Sequence, residues 1–304
     1  MSFTASIAQQ QCLAVRNILN SGYLPFVQQY HTIDFLNVSR NSDLIDEFVC
    51  CGFVLSTPNE IVIVIRGSNN IEDYFFDLLV VPNHQRIHSG FDLCVERLWE
   101  QLLEILLRED NGKKDIIVIG HSLGGAAATL IASRLSQPGF KPVASHVLET
   151  YTFGAPPVNN GELFLLNTPL HRFVNSGDLI PYLPQIITVI GNRFPPLKRL
   201  INSRIPQFLS MLSEYSHFGN EYLIETDYEI RKLDPSARVN YWKSLDFTKM
   251  LISQLPLKKL ISLNTKELLR ELLKAVVNAS LNEHRAFKYV ERLNRGQLPP
   301  WLTN

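Results

Sequence analysis

The sequence is poor in cysteine and carries no net charge. Its 304 residues include only four cysteines, and 29 lysines and arginines balance 29 aspartates and glutamates. A neutral balance gives no electrostatic reason to expect a nucleic-acid partner. No apolar run approaches the roughly 20 residues of a membrane-spanning helix, and the first twenty residues have no basic leader before an apolar core. We therefore expect a cytoplasmic protein whose four cysteines are free thiols.

Metal-binding signatures are also missing from the sequence. The eight histidines are scattered, and neither an H-E-x-x-H nor a C-x-x-C motif occurs. We expect no metal and no cofactor. With 45% apolar and 19% charged residues, the composition is that of an ordinary globular domain.

Short apolar runs alternate with helical patterns through the first two thirds of the chain. The runs that predict strands are 48–55, 61–65, 116–119, 147–153 and 170–174, and the patterns that predict helices are 91–108 and 124–135. This alternation indicates an α/β fold with a mainly parallel central sheet and helices on both faces. We expect a single domain over residues 1–304, with helical insertions in its C-terminal half at about 185–213 and 246–280.

The strongest motif is G-H-S-L-G at residues 120–124, which fits the pattern G-x-S-x-G. A predicted strand precedes the motif and a predicted helix follows it, which is the context that this pattern requires. The sharp turn strains the backbone of the serine and lifts its hydroxyl out of the sheet, while glycines permit the close packing on either side. Ser122 is therefore the candidate nucleophile.

A nucleophilic serine needs a base and an orienting acid. In this architecture they follow the serine in the order Asp or Glu, then His. Asp178 comes directly after the predicted strand 170–174, at the sheet edge where parallel strands place functional groups. His217 and His284 both lie further along the chain, and order alone allows either of them as the base.

Six segments occur in an order that is informative when they are taken together. They are I-R-G-S at 65–68, H-S-G-F at 88–91, G-H-S-L-G-G at 120–125, F-G-A-P-P-V at 153–158, N-S-G-D-L-I-P-Y-L-P at 175–184 and Y-S-H-F-G-N-E at 215–221. This series resembles the class 3 lipases, the fungal-type triacylglycerol lipase family. The resemblance implies an α/β-hydrolase fold and a serine ester hydrolase that acts on lipids without a cofactor.

The resemblance also implies roles for individual residues. It makes Ser122 the nucleophile and Asp178 the acid, and it builds the oxyanion hole from Ser68 and Leu123. We assign the base to His284, because it precedes a predicted last helix, where this fold delivers its base, whereas His217 leads into a probable strand at 222–224. We interpret Arg66 and His88 as structural residues, which contact the ends of core strands rather than the turn of the serine.

The sequence leaves the substrate and the contacts with a lipid surface more open than the site residues. Acylglycerols are the expected substrates; phospholipids, non-lipid esters and a catalytically silent binding protein are the alternatives. Residues 71–81 occupy the place of the family's lid, and either a mobile lid or a buried helical turn fits them. A basic amphipathic stripe could contact an anionic lipid surface or simply face solvent, and its charged residues are Arg193, Lys198, Arg199 and Arg204.

Overall fold

In the part of the chain that the structure describes, eight strands form one sheet, and each strand lies beside its neighbours in the chain. The computed structural model describes residues 32–37, 51–67, 89–108, 114–137, 140, 147–158, 169–183, 185–186, 215–234, 263 and 265–296. The strands are β1 (Thr32–Asn37), β2 (Cys51–Ser56), β3 (Glu60–Ile65), β4 (Asp115–His121), β5 (Val147–Phe153), β6 (Leu170–Asn175), β7 (Asn220–Ile224) and β8 (Ile230–Leu233). The long helices within the described ranges are α1 (Ser89–Leu106), α2 (Leu123–Leu135), α3 (Thr265–His284) and α4 (Ala286–Arg295).

The centre of the sheet is parallel and its margins are antiparallel. β3 through β7 pair in parallel, whereas β1, β2 and β3 pair antiparallel, as do β7 and β8. The prediction of a mainly parallel sheet is therefore confirmed. In a parallel sheet the carboxyl ends of the strands share one edge, so the residues after β3, β4, β5 and β6 are brought together.

Both faces of the central strands are buried. On one face, Ile117 and Ile119 belong to an apolar cluster that also contains Tyr289 and Leu293 of α4. Their neighbours Ile116 and Val118 point to the other face and are equally buried. Almost every residue of α2 is buried, and this helix contacts β4, β5 and α1. The continuous apolar runs of these strands are thus explained by cover on both sides.

Two predictions about single residues are wrong. Cys94 on α1 is buried and disulfide-bonded, so the expectation of four free thiols fails, because sequence spacing does not reveal which cysteines the fold brings together. The apolar spacing of residues 265–281 predicts a helix over that range, but the helix continues to His284. His284 is therefore the last residue of α3 rather than part of a loop, and only Arg285 separates it from α4.

Several predicted features lie outside the described residues. They are the segment 71–81, His88, Ser68, the basic stripe and most of the two expected insertions. Residues 265–280 of the second expected insertion are described and belong to α3. Within the described ranges, no helix is both long and apolar enough to cross a bilayer.

Candidate active site

The turn between β4 and α2 holds Ser122 in a strained conformation. Its φ is 55° and its ψ is −123°, a region that costs a residue with a side chain about 1–3 kcal/mol. The turn packs tightly, since a Cβ on Gly124 would lie 2.2 Å from the carbonyl oxygen of Ile65. Glycine is required there, and the strained backbone of Ser122 between β4 and α2 is the one that the sequence motif predicts.

Ser122, His284 and Asp178 form one hydrogen-bonded chain. His284 Nε2 lies 2.7 Å from Ser122 Oγ, and His284 Nδ1 lies 2.8 Å from Asp178 Oδ2. Ser122 is 1% exposed, and the other two residues are completely buried. The structure thus brings together the predicted nucleophile, base and acid, in the connectivity that a serine hydrolase needs.

The Asp178 carboxylate receives hydrogen bonds from four groups. Besides His284, the Tyr289 hydroxyl donates to Oδ2 at 2.5 Å. Oδ1 accepts from the Ser280 hydroxyl and from the Ile180 N–H, each at 3.0 Å. Burial, followed by the negative charge of Asp178, raises the pKa of Tyr289 well above its ordinary value. The phenol therefore keeps its proton and remains a hydrogen-bond donor to the carboxylate.

The backbone around His284 is anchored to the sheet. The Asn175 side-chain amide donates to the Glu283 carbonyl at 2.8 Å, and His121 Nε2 donates to the His284 carbonyl at 2.7 Å. Arg292 Nη2 pairs with Glu283 Oε2 at 2.5 Å, while its Nη1 donates to the Ile224 carbonyl at 3.0 Å. The end of α3 is therefore tied to β4, β6 and β7.

Of the two predicted oxyanion-hole residues, the structure describes Leu123 but not Ser68. Leu123 is the first residue of α2, so its N–H lies at the positive end of that helix. Ser68 falls outside the described residues, but its neighbour Gly67 is described. A Cβ on Gly67 would lie 3.1 Å from Ser122 Cβ, so the chain leading to Ser68 passes directly beside the nucleophile.

This placement corrects the interpretation of Arg66. A Cβ on Gly124 would lie 2.6 Å from the Arg66 carbonyl, so the Arg66 backbone lies against the turn of the serine, not only at a strand end. The physical reason is the parallel pairing of β3 and β4, which brings the residues after both strands to the same edge.

His217, the other candidate base, lies against the turn that follows Asp178. Its Nε2 lies 2.6 Å from the Pro181 carbonyl oxygen, and its ring meets that of Tyr182 edge-on, with centroids 6.1 Å apart. It therefore contacts the short 3-10 turn after Asp178, whereas Ser122 is hydrogen-bonded to His284.

Sequence reasoning missed two residues that contact Asp178, namely Ser280 and Tyr289. The spacing of Ser280 and His284, one helical turn apart, was a usable signal for the first of them.

Comparisons with known proteins show which sequences this chain resembles. Residues 62–188 match the family model described as Lipase (class 3). The lipase of Rhizomucor miehei is 34% identical over 138 residues, which cover 41% of this chain and 37% of the relative. The secreted mono- and diacylglycerol lipase A of Penicillium cyclopium is 28% identical over 142 residues, covering 42% of this chain and 44% of the relative. The chain thus matches less than half the length of these two relatives.

A solved structure is similar over a larger part of the chain. The lipase from Rhizopus microsporus var. chinensis superposes with a TM-score of 0.51 over 72% of each chain, at 21% sequence identity. At that identity the likeness concerns the fold alone, and it confirms the expected α/β-hydrolase architecture.

The expectation of a cytoplasmic location is contradicted. The Penicillium cyclopium relative is a secreted enzyme by its name, and the disulfide at Cys94 is a bond that reducing compartments rarely permit. The expectation rested on the first twenty residues and on the low cysteine count, and neither feature reports where a protein resides.

Proposed function

We propose that the protein is a serine ester hydrolase of the class 3 lipase family that acts on lipids, with acylglycerols as its substrates; residues 62–188 match that family's model. The observation that carries the proposal is the continuous hydrogen-bonded chain from Ser122 through His284 to Asp178. The names of the relatives support the substrate class, because the Penicillium cyclopium enzyme is a mono- and diacylglycerol lipase.

The proposed reaction is acyl transfer to water in two steps. Ser122 Oγ attacks the ester carbonyl carbon while His284 Nε2 takes the hydroxyl proton, and the resulting oxyanion is stabilised by the N–H groups of Leu123 and Ser68. Collapse of this intermediate expels the alcohol, which receives its proton from His284. Water then attacks the acyl-enzyme while His284 takes its proton, and His284 returns that proton to Ser122 Oγ as the bond to the acyl group breaks and the fatty acid leaves. Asp178 stays ionised throughout and stabilises the imidazolium.

Contact with a lipid surface is part of the same proposal. It is supported by the basic amphipathic stripe of the sequence, which lies outside the described residues. Each basic residue near an anionic surface is expected to contribute about 1 kcal/mol of binding free energy. Charge reversal at Arg193, Lys198, Arg199 and Arg204 should therefore weaken sedimentation with phosphatidylserine vesicles. Unchanged sedimentation would assign the stripe to solvent.

The decisive experiment replaces the proposed nucleophile. Wild-type protein and Ser122→Ala are assayed on acylglycerols, phospholipids and short-chain esters, and both are treated with a fluorophosphonate probe. We expect labelling of the wild type alone and a loss of turnover on the order of 10⁴–10⁶ in the variant. Ser133→Ala is the matched control, because Ser133 is another buried serine near the far end of α2.

The results separate the alternatives. Preference for phospholipids or for short soluble esters would replace the acylglycerol proposal with a phospholipase or an esterase. A wild type that hydrolyses nothing and takes up no probe would indicate a catalytically silent binding protein. More than a tenth of wild-type activity in Ser122→Ala would remove Ser122 from its proposed role.

A further inference from the structure

We propose that Ser280 is a positioning residue, whose hydroxyl orients the Asp178 carboxylate toward His284 and tunes the basicity of that histidine. The inference rests on the proposed function and goes beyond it, since Ser280 lies outside the matched range 62–188 and no motif of the sequence includes it.

Two hydrogen bonds fix the direction of the Ser280 hydroxyl. Its oxygen accepts from the Leu179 N–H at 2.9 Å, and the hydroxyl donates to Asp178 Oδ1 at 3.0 Å. The residue is completely buried. A hydroxyl has a single proton, and with its oxygen turned toward an N–H that proton is directed at the carboxylate. Ser280 therefore ties the carboxylate to the backbone of the turn that carries it.

Helix geometry makes this contact specific to the acid–base pair. Ser280 and His284 lie four residues apart on α3, so both side chains project from the same face, one turn apart. Ser280 bonds Oδ1 of Asp178, and His284 bonds Oδ2. One helical turn thus holds both carboxylate oxygens, and the position of α3 sets the angle at which the carboxylate meets the imidazole.

The hydrogen bond from Ser280 should also determine how strongly the Asp178 carboxylate stabilises a positive charge on His284. A donor on Oδ1 stabilises the carboxylate charge, so its removal leaves Asp178 more basic and better able to stabilise the imidazolium. The acid limb of the pH–rate profile would then move to higher pH. The titratable and charged groups around His284 are Asp178, Tyr289 on the same carboxylate, His121 with its ring centroid 5.0 Å away, and the Glu283–Arg292 pair at the end of α3. Of these groups, Asp178 is the one that loses a hydrogen bond when Ser280 is replaced.

The experiment compares Ser280→Ala with Ser280→Cys, which keeps a weak donor, and with the control Ser133→Ala. The full chain is assayed on p-nitrophenyl butyrate from pH 4.5 to 9, and thermal unfolding is measured for each variant. For Ser280→Ala we expect kcat to fall about 10- to 100-fold with KM nearly unchanged, because a carboxylate that Ser280 no longer holds orients His284 less well, and this loss of orientation outweighs the gain in basicity. The acid limb of kcat/KM should move up by about half a pH unit. Ser280→Cys should lie between alanine and wild type, and Ser133→Ala should match the wild type.

Other outcomes overturn the proposal. An acid limb that stays in place, with kcat lowered only as far as the folded fraction falls, would make Ser280 purely structural. Failure of both Ser280 variants to fold would also make its role structural. A wild type that hydrolyses no ester and takes up no fluorophosphonate would overturn the proposed function together with this inference, whereas an active wild type with unaltered variants would overturn this inference alone.

Discussion

Gly154 occupies a position where any side chain would collide with the proposed acid–base pair. Its φ is +61°, and a Cβ there would lie 2.7 Å from Asp178 Oδ2 and 3.0 Å from His284 Nδ1. We expect Gly154→Ala to lower kcat about 10²- to 10³-fold, since small displacements of catalytic groups have effects of this size. It should also destabilise the fold by about 1–3 kcal/mol because of the positive φ. The measurements are kcat per folded molecule and the thermal unfolding midpoint.

Gly219 offers the matched control for this substitution. Its φ is +77°, and a Cβ there would lie 2.4 Å from the Leu170 carbonyl oxygen, at the opposite end of β6 from Asp178. Gly219→Ala should therefore destabilise the protein to a similar degree while folded molecules retain wild-type turnover. Equal losses of kcat in the two variants would show that backbone strain, rather than contact with the pair, causes the effect.

The residues of the proposed site differ in how far sequence allowed their prediction. Ser122 and Asp178 were identified because their surroundings are local: a strand, a sharp turn and the following element. The contacts of Ser280 and Tyr289 with Asp178 depend on where α3 and α4 pack, and the residues involved are more than 100 positions apart in sequence. No local pattern encodes that placement.

At the scale of elements, the question is which one delivers the base. α3 ends at His284 beside Ser122, whereas His217 precedes β7 and contacts the Pro181 carbonyl. We expect His284→Ala to lose turnover on the order of 10⁴–10⁶-fold and His217→Ala to keep kcat within about threefold, as for a residue outside a catalytic unit. Both variants are assayed on one soluble ester after circular dichroism has shown that they are folded. An inactive His217→Ala beside an active His284→Ala would reverse the assignment.

The elements themselves were predicted unevenly. The central strands β3 to β6 were identified because burial on both faces leaves continuous apolar runs in the sequence. β1 and β8 were not predicted. These two strands lie at the margins of the sheet, and β8 is largely exposed, so pairing with a neighbour rather than an apolar pattern determines their conformation. The end of α3 was placed too early because no glycine or proline marks it; the chain simply becomes extended at Arg285.

At the scale of the whole molecule, the proposed site joins distant parts of the chain. Ser122 and Asp178 lie within the matched range 62–188, while His284 is contributed by α3, almost 100 residues beyond that range. The segment 246–280, interpreted from sequence as an insertion, thus ends in a helix that completes the site. The cellular location was predicted wrongly because the fold and the composition leave it undetermined.

Ser122 is 1% exposed and His284 is fully covered, and this has a kinetic consequence. We therefore expect that neighbouring atoms must move before an ester carbonyl reaches Oγ, so that only the open fraction of molecules reacts and every observed affinity is weakened by that fraction. Phosphonylation by two reagents of different intrinsic reactivity should therefore reach the same maximal rate at high reagent concentration, since opening then limits both reactions. Stopped-flow measurement of both reactions tests this expectation. Plateaus that differ in proportion to the reactivity of the reagents would mean that opening is not the slow step.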